Sequence, residues 1–305
     1  MEKILLGSKL PSAPIALGCM RMAGVKDERD AEAIVKLALE EGIDLFDHAD
    51  IYGGGESERI FGRILKKNPG MRDQMLVQGK CGICKGYYDA SKEHIMEATE
   101  GILARLGVDY LDTLLLHRPD ALLQPEEVAE AFLTLRAQGK VRYFGVSNQN
   151  AAQLALLERY LPNELILNQL QFSMAHTGMV DEGVNVNMHT EHAVMRDGSV
   201  LDYCRLHEIT IQAWSPFQYG MFEGVFLGCE KFPELNRVID ELAEAKGVTN
   251  SAIAVAWIMR HPAKIQTIVG TMKAQRLRDI CAASKVELTR QEWYQLYLAA
   301  GNPLP

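Results

Sequence analysis

Residues 30–80 read DAEAIVKLALEEGIDLFDHADIYGGGESERIFGRILKKNPGMRDQMLVQGK. Apolar residues three and four apart over Asp30–Glu41 predict an amphipathic helix. Gly42 stands just past it, where a left-handed terminal residue is cheapest. The short apolar run Leu45–Ala49 then predicts a strand, Ser57–Lys67 a second helix, and Leu76–Lys80 a second strand. A strand, a helix and a strand in succession mean parallel pairing through a right-handed crossover.

The same unit recurs through the chain. Strands are predicted at Ile15–Met20, Leu45–Ala49, Leu76–Lys80, Leu111–His117, Tyr143–Ser147, Ile166–Gln171, Thr210–Trp214 and Ile265–Val269. Helices are predicted at Asp30–Glu41, Ser57–Lys67, Ser91–Leu106, Pro125–Gln138, Ala151–Tyr160, Leu201–His207, Pro233–Lys246, Asn250–Arg260 and Lys273–Ser284. Ser91 reads as an N-cap, and Gly107, Gly139 and Gly247 each follow a helical run. Eight strand–helix units favour closure, an α/β (β/α)₈ TIM barrel, over an open sheet. The open alternative normally carries G-x-G-x-x-G after its first strand; here Gly53–Gly55 fails that pattern because Glu58 fills the last position. The 305 residues suit one such domain spanning 1–305. Met1–Pro14 is expected to form a β-hairpin closing the barrel floor. The long polar loop 173–199, after strand six, is expected on the catalytic face.

A net charge of −8 argues against nucleic acid or an anionic membrane as partner. No apolar stretch reaches the roughly 20 residues of a membrane span, and the first ten residues lack a signal-peptide core. Six cysteines scattered over this length do not make a disulfide framework, so a cytoplasmic setting is expected, as a monomer or weak homo-oligomer.

Active sites of such barrels form where strands end and the following loops begin. There the sequence places an acid (Asp47), a phenol (Tyr52), an amine (Lys80) and an imidazole (His117), from three successive strands. Each alone reads as a cap, a packing residue or a satisfied core group. Together, facing one mouth, they point to chemistry. Ser147, Asn148, Gln169 and Trp214 occupy the ends of later strands.

The chain resembles the aldo-keto reductases. GIDLFDHADIYGGGESE at 42–58 is similar to that family's G-x-x-x-x-D-T-A-x-x-Y-G signature. LLLHRPD at 114–120, FGVSN at 144–148, NQLQ at 168–171, AWSPF at 213–217 and IVGTMKAQR at 268–276 follow in the family's order. The nearest branch is that of bacterial oxidoreductases without an assigned substrate. His48, where many members carry Thr, and the loop 173–199 depart from the pattern.

The resemblance implies reduction of an aldehyde or ketone, a small-molecule carbonyl substrate, to an alcohol, with NADPH (NADH possible) as hydride source. Tyr52 would donate the proton. A free phenol has a pKa of about 10, and a Lys80 ammonium fixed by Asp47 would lower it. His117 would orient the carbonyl. Ser147, Asn148 and Gln169 would hold the carboxamide and Trp214 would stack on the nicotinamide, where the family often has Tyr. Ser215 and Phe217 would line the same cradle, with Cys19 and Met20 on the ribose side. Gly270, Thr271, Lys273 and Arg276, at a helix start, would receive the adenosine 2′-phosphate. An alternative is a cofactor-binding or redox-sensing module on the same fold with little turnover. Another is a Schiff-base enzyme with Lys80 as nucleophile, which needs an apolar pocket around that amine.

Three features lie outside this scheme. Cys81-Gly-Ile-Cys84 has no second C-x-x-C, so no metal is expected and thiol modification near the substrate entrance is the better reading. His176, His189 and His192 lack metal-ligand spacing and read as part of a solvated lid. Phe217–Phe226 is an aromatic, glycine-hinged wall or lid.

Overall fold

Eight parallel strands close on themselves in the computed structural model, which describes residues 1–304. Met1–Pro14 forms the hairpin β1 (Ile4–Leu6) and β2 (Leu10–Ser12). The barrel strands are β3 (Ile15–Gly18), β4 (Leu45–Asp47), β5 (Leu76–Cys81), β6 (Leu111–Leu116), β7 (Val141–Ser147), β8 (Leu165–Gln171), β9 (Thr210–Trp214) and β10 (Gln266–Val269). They run around the barrel in chain order, with β10 pairing back onto β3. The helices are α1 (Glu28–Glu40), α2 (Glu56–Lys67), α3 (Lys92–Leu106), α4 (Pro125–Ala137), α5 (Ala151–Glu158), α6 (Gly178–Val184), α7 (Val200–Leu206), α8 (Pro233–Lys246), α9 (Asn250–Met259), α10 (Ala274–Cys281) and α11 (Arg290–Ala299).

All eight predicted strands are present. The first, second and fourth stop one or two residues early, so Asp47 is the last residue of β4 and His117 lies just past β6. The predicted caps are realised: Ser91 Oγ accepts from His94 N at 3.3 Å, and Gly107 and Gly247 end α3 and α8 in the left-handed region. Two helices escaped the sequence reading. Helix α11 begins with a reciprocal capping box between Thr289 and Glu292, a T-x-x-E signal present in the sequence. Its Trp293 stacks on Trp257 of α9, ring centres 4.7 Å apart, and each indole N–H donates to the other residue's carbonyl.

Helix α6 lies inside the expected loop 173–199, whose first half is therefore anchored and not a solvated lid. The anchor is Asp181, buried on α6, which accepts from Tyr297 Oη at 2.7 Å and Thr177 Oγ1 at 3.0 Å. Thr177 also reaches Asn302 at 3.1 Å, so the segment is held to the C-terminal residues.

Two apolar clusters divide the molecule. The larger fills the space between the strands' outer faces and the helices. The smaller, Leu6, Leu10, Ala16, Leu45, Leu115, Ile166, Leu167 and Ile268, joins the hairpin to the barrel residues it covers. The hairpin thus seals the end at which the strands begin. Gly7 at its turn has φ +54 and donates its N–H to Thr210 Oγ1 at 2.9 Å. A Cβ there would stand 2.7 Å from Ile166 Cα. Replacing Gly7 by Ala forces a left-handed non-glycine residue into backbone contact. We expect Gly7→Ala to lose about 1–3 kcal/mol in urea unfolding; an unchanged midpoint would show that the hairpin is not seated by this close approach.

Candidate active site

Lys80 is wholly buried inside the barrel, and Asp47 is 2% exposed. A bare ammonium there would be prohibitively costly, so its surroundings are decisive. Lys80 Nζ donates to Asp47 Oδ1. The same oxygen accepts from Gln78 Nε2 at 2.6 Å and Gln169 Nε2 at 3.2 Å. These partners follow from register, since Asp47 pairs with Gln78 on β5, and Gln169 pairs with Gln212 on β9.

Gln212 bonds Gln78, Gln169 and Gln266, and Gln266 Nε2 continues to Ser12 Oγ at 2.9 Å. Thr113 Oγ1 donates to Gln78 Oε1. A continuous amide chain therefore runs from the carboxylate across the barrel to the hairpin. Sequence reasoning missed Gln78, Gln212 and Gln266. Their signal was an amide alone within buried apolar strands, and in Gln78 it stands two residues before Lys80, on the same inward face.

Tyr52 sits on the turn after β4, its N–H bonded to Ala49 O at 3.0 Å. Gly53, Gly54 and Gly55 then turn the chain into α2 with positive φ throughout, and a Cβ on Gly53 would collide with Ala23. Lys80 Nζ lies 5.2 Å from the centre of the Tyr52 ring, and His117 meets that ring edge-on at 5.9 Å. The four residues read from the sequence are thus brought to one place.

Their electrostatics differ from expectation in one respect. The sequence reading had Lys80 lowering the Tyr52 pKa. In the free chain burial pushes the phenol well above its ordinary value, and the Asp47 carboxylate, which offsets the Lys80 charge, adds to the rise. Arg118 is the cation that opposes it. Tyr52 is therefore protonated at neutral pH. Burial also lowers the Lys80 amine, with Asp47 opposing, and burial with Lys80 and Arg118 holds His117 down to about 2, as a neutral imidazole.

Beside this centre, Asn148 Nδ2 donates to Ser147 Oγ at 2.8 Å and Trp214 Nε1 donates to Asn148 Oδ1 at 3.2 Å. Ser147 Oγ donates to the Gln169 carbonyl at 2.9 Å. The residues read as a carboxamide cradle are thus wired together, although both Gln169 amide protons are already engaged by Asp47 and Gln212. Asn148 and Ser215 both adopt positive φ directly after a strand. Phe217 is half-buried near Trp214 in sequence, Cys19 is fully buried and Met20 is exposed. Arg118, beside His117, places its guanidinium 5.7 Å from the Trp214 ring centre.

Gly270, Thr271, Lys273 and Arg276 lie together at the start of α10. Thr271 Oγ1 accepts from Lys273 N at 3.2 Å, and no side chain caps the helix. Lys273 and Arg276 are exposed and form no ion pair among the described residues. Arg21 joins them, donating to Gly270 O at 3.2 Å, a cation the sequence reading left out.

The sequence profile described as "Aldo/keto reductase family" matches residues 14–297. The chain is 36% identical to an uncharacterized oxidoreductase, YcsN, of Bacillus subtilis, with all of both chains covered. It is 34% identical to a 6-dehydroglucose reductase of Agrobacterium fabrum over 98% of each. Among solved structures, an aldo-keto reductase of Klebsiella pneumoniae in complex with NADPH superposes with a TM-score of 0.79 at 24% identity, covering 99% of this chain and 96% of that one.

His48 is the odd residue of the site. It is fully buried, edge-on to Phe61 at 4.5 Å, and neither ring nitrogen has a hydrogen-bond partner. Burial, helped by Lys80, lowers it from 6.5 to about 3. Because the folded value lies below the unfolded one, His48 costs nothing extra above pH 6.5. Below it, stability falls progressively towards pH 3, by up to about 1.4 kcal/mol per pH unit. His48→Leu is expected to lose less stability than the wild type between pH 6.5 and 4 in parallel urea titrations; identical slopes would mean that His48 does not stay neutral on folding.

Proposed function

The chain belongs to the aldo/keto reductase family, and on that premise we propose that it reduces aldehyde or ketone carbonyls to alcohols, with NADPH as hydride donor. The observation that carries this reading is the meeting of a protonated phenol, a neutral imidazole and a buried ammonium–carboxylate pair at one barrel mouth. The Ser147–Asn148–Trp214 platform and the start of α10 would hold NADPH, which would supply the hydride when bound. Ser147, Asn148 and Gln169 offer carboxamide partners, and Trp214 a stacking face. Thr271, Lys273 and Arg276, with the uncapped first turn of α10, fit a phosphate by charge and by free N–H groups.

Tyr52 acts as general acid. As the carbonyl carbon gains hydride, charge develops on oxygen, and Tyr52 Oη passes its proton there. One C=O becomes CH–OH, and the proton returns to Tyr52 from solvent. A phenol raised by burial is fully loaded for donation but reluctant to give up its proton. The developing alkoxide is the stronger base, and the Lys80 ammonium 5.2 Å from the ring centre stabilises the phenolate left behind. His117, neutral, donates a hydrogen bond to the same oxygen and orients it. The placement of Lys80 Nζ on Asp47 weighs against a Schiff-base role, which requires a free neutral amine. Two relatives named 6-dehydroglucose reductase make sugar-derived aldehydes the first carbonyls to try.

The direct test is NADPH oxidation against a panel of aldehydes, ketones and quinones. Turnover supports the reading, whereas tight NADPH binding with no turnover would instead support a binding module. Tyr52→Phe is expected to reduce turnover by at least about 10²-fold while NADPH binding, followed by fluorescence, stays within a factor of a few; retained activity would remove Tyr52 as the proton donor. For the cofactor, Arg276→Ala is expected to weaken NADPH roughly 10- to 100-fold, the worth of a charge-assisted bond to phosphate, and to leave NADH nearly unaffected. Equal losses would assign Arg276 a structural role.

A further inference from the structure

The loop from β5 to α3 and the first turn of α3 carry three side chains that the reductase chemistry does not use. The Cys84 thiol, the Asp89 carboxylate and the His94 imidazole place one ligand atom each within 4.8 Å of one another, and all three residues are partly exposed. Cys84 Sγ stands 3.9 Å from His94 Nε2. We propose that Cys84, Asp89 and His94 form a binding site for one zinc-like divalent cation on the rim of the barrel mouth.

The donor set is the first argument. Thiolate and imidazole together select borderline-soft cations such as Zn²⁺ or Co²⁺ over Mg²⁺ or Ca²⁺, and a single carboxylate is compatible with them. Sulfur and nitrogen bound to one tetrahedral Zn²⁺ at ~2.3 and ~2.0 Å stand roughly 3.5 Å apart. The pair is already within a few tenths of an ångström of that separation.

The second argument is that the backbone presents these residues independently of any ion. Ile83 bridges Tyr88, Cys84 N–H donates to Tyr87 O at 3.0 Å, and Asp89 N–H donates to Gly82 O at 3.0 Å. Ser91 caps α3 by accepting from His94 N, which fixes the start of the helix bearing the imidazole. Ala90 N–H donates to Asp120 Oδ2 at 3.0 Å, tying the loop to the segment after β6. Asp89 Oδ1 accepts from Ser91 N at 2.9 Å, which fixes the carboxylate beside the helix start.

The C-x-x-C spacing noted in the sequence is therefore not the site. Cys81 is fully buried, and its thiol is not among the ligand atoms that gather around Cys84. The partner of Cys84 is His94, ten residues on. Binding requires no redox step: Cys84 S–H releases one proton to solvent, and the cation takes the thiolate, neutral His94 and the Asp89 carboxylate. A fourth position is left to water. A bound ion would pin the segment that follows Lys80 to the start of α3.

The full-length protein is titrated with Co²⁺ alone and the near-ultraviolet thiolate-to-cobalt absorption is followed; Zn²⁺ is then added. One equivalent is expected to produce the band, Zn²⁺ to bleach it, and Zn²⁺ to raise the thermal midpoint. Cys84→Ser and His94→Gln should each abolish the band and weaken Zn²⁺ by at least about 10-fold, while Cys81→Ser retains both. Circular dichroism establishes that each variant is folded, and two independent ligand variants keep the test decisive should one fail. Absence of the band in the wild type, its survival in both variants, or a thermal midpoint indifferent to Zn²⁺ would overturn the proposal.

Discussion

An ammonium and a carboxylate, both stripped of water, stand at the centre of this barrel, and much of the interior is arranged around them. Attraction between Lys80 and Asp47 does not by itself offset their desolvation; the remaining lone pairs must also be met. Gln78 and Gln169 meet them at Asp47 Oδ1, and their own amides must then be satisfied in turn. That requirement passes to Gln212, then to Gln266, and ends at Ser12 of the hairpin. One buried charge pair thus dictates the side chains of five strands and reaches the opposite end of the molecule.

The amide chain also explains why the floor must be sealed. Water entering from below would compete for each of these bonds and weaken the pair by raising the local dielectric. The hairpin places Leu6 and Leu10 across that opening, and Gly7 allows its turn to sit directly on Ile166. Under the proposed function the other end must stay open, since there Tyr52 and His117 reach the substrate. The two ends of one barrel therefore carry opposite solvent requirements.

How much of this could be read from the sequence follows from the range of each signal. The barrel was legible because strand and helix periodicities are local, and each unit repeats the same evidence of alternation. Asp47, Tyr52, Lys80 and His117 were legible because strand ends fix where a side chain emerges. The capping box at Thr289 is equally local, a T-x-x-E pattern that the sequence displays. The glutamines were not legible as a network, since Gln78 and Gln212 meet across 134 residues of chain. The direction of the Tyr52 shift was misjudged for a related reason. A charge nearby in the pattern was weighed, but the depth of burial, which outweighs it, is a property of the closed barrel alone. Helix α6 hid because its anchor, Asp181, finds a partner on the last helix, while Thr177 finds one in the residues after it.

Charge at the mouth adds a constraint that the overall composition conceals. The chain carries −8, yet Arg21, Arg118, Lys273 and Arg276 stand at the open end without carboxylate partners among the described residues. Elsewhere many cations are paired, as Arg63 is with Glu28 and Glu56, or Arg72 with buried Asp112. Under the proposed function the division has a physical purpose. An acidic body repels an anionic dinucleotide everywhere except where the field reverses, so unpaired cations at one opening steer encounter towards it. Arg21 and Arg276 serve the phosphate end, near Gly270. Arg118 follows His117 and lies 5.7 Å from the Trp214 ring centre, where its charge opposes the rise of the Tyr52 phenol and, after burial and Lys80, helps to keep His117 uncharged. The cation that attracts a ligand at this point therefore also biases the protonation states needed once the ligand has arrived.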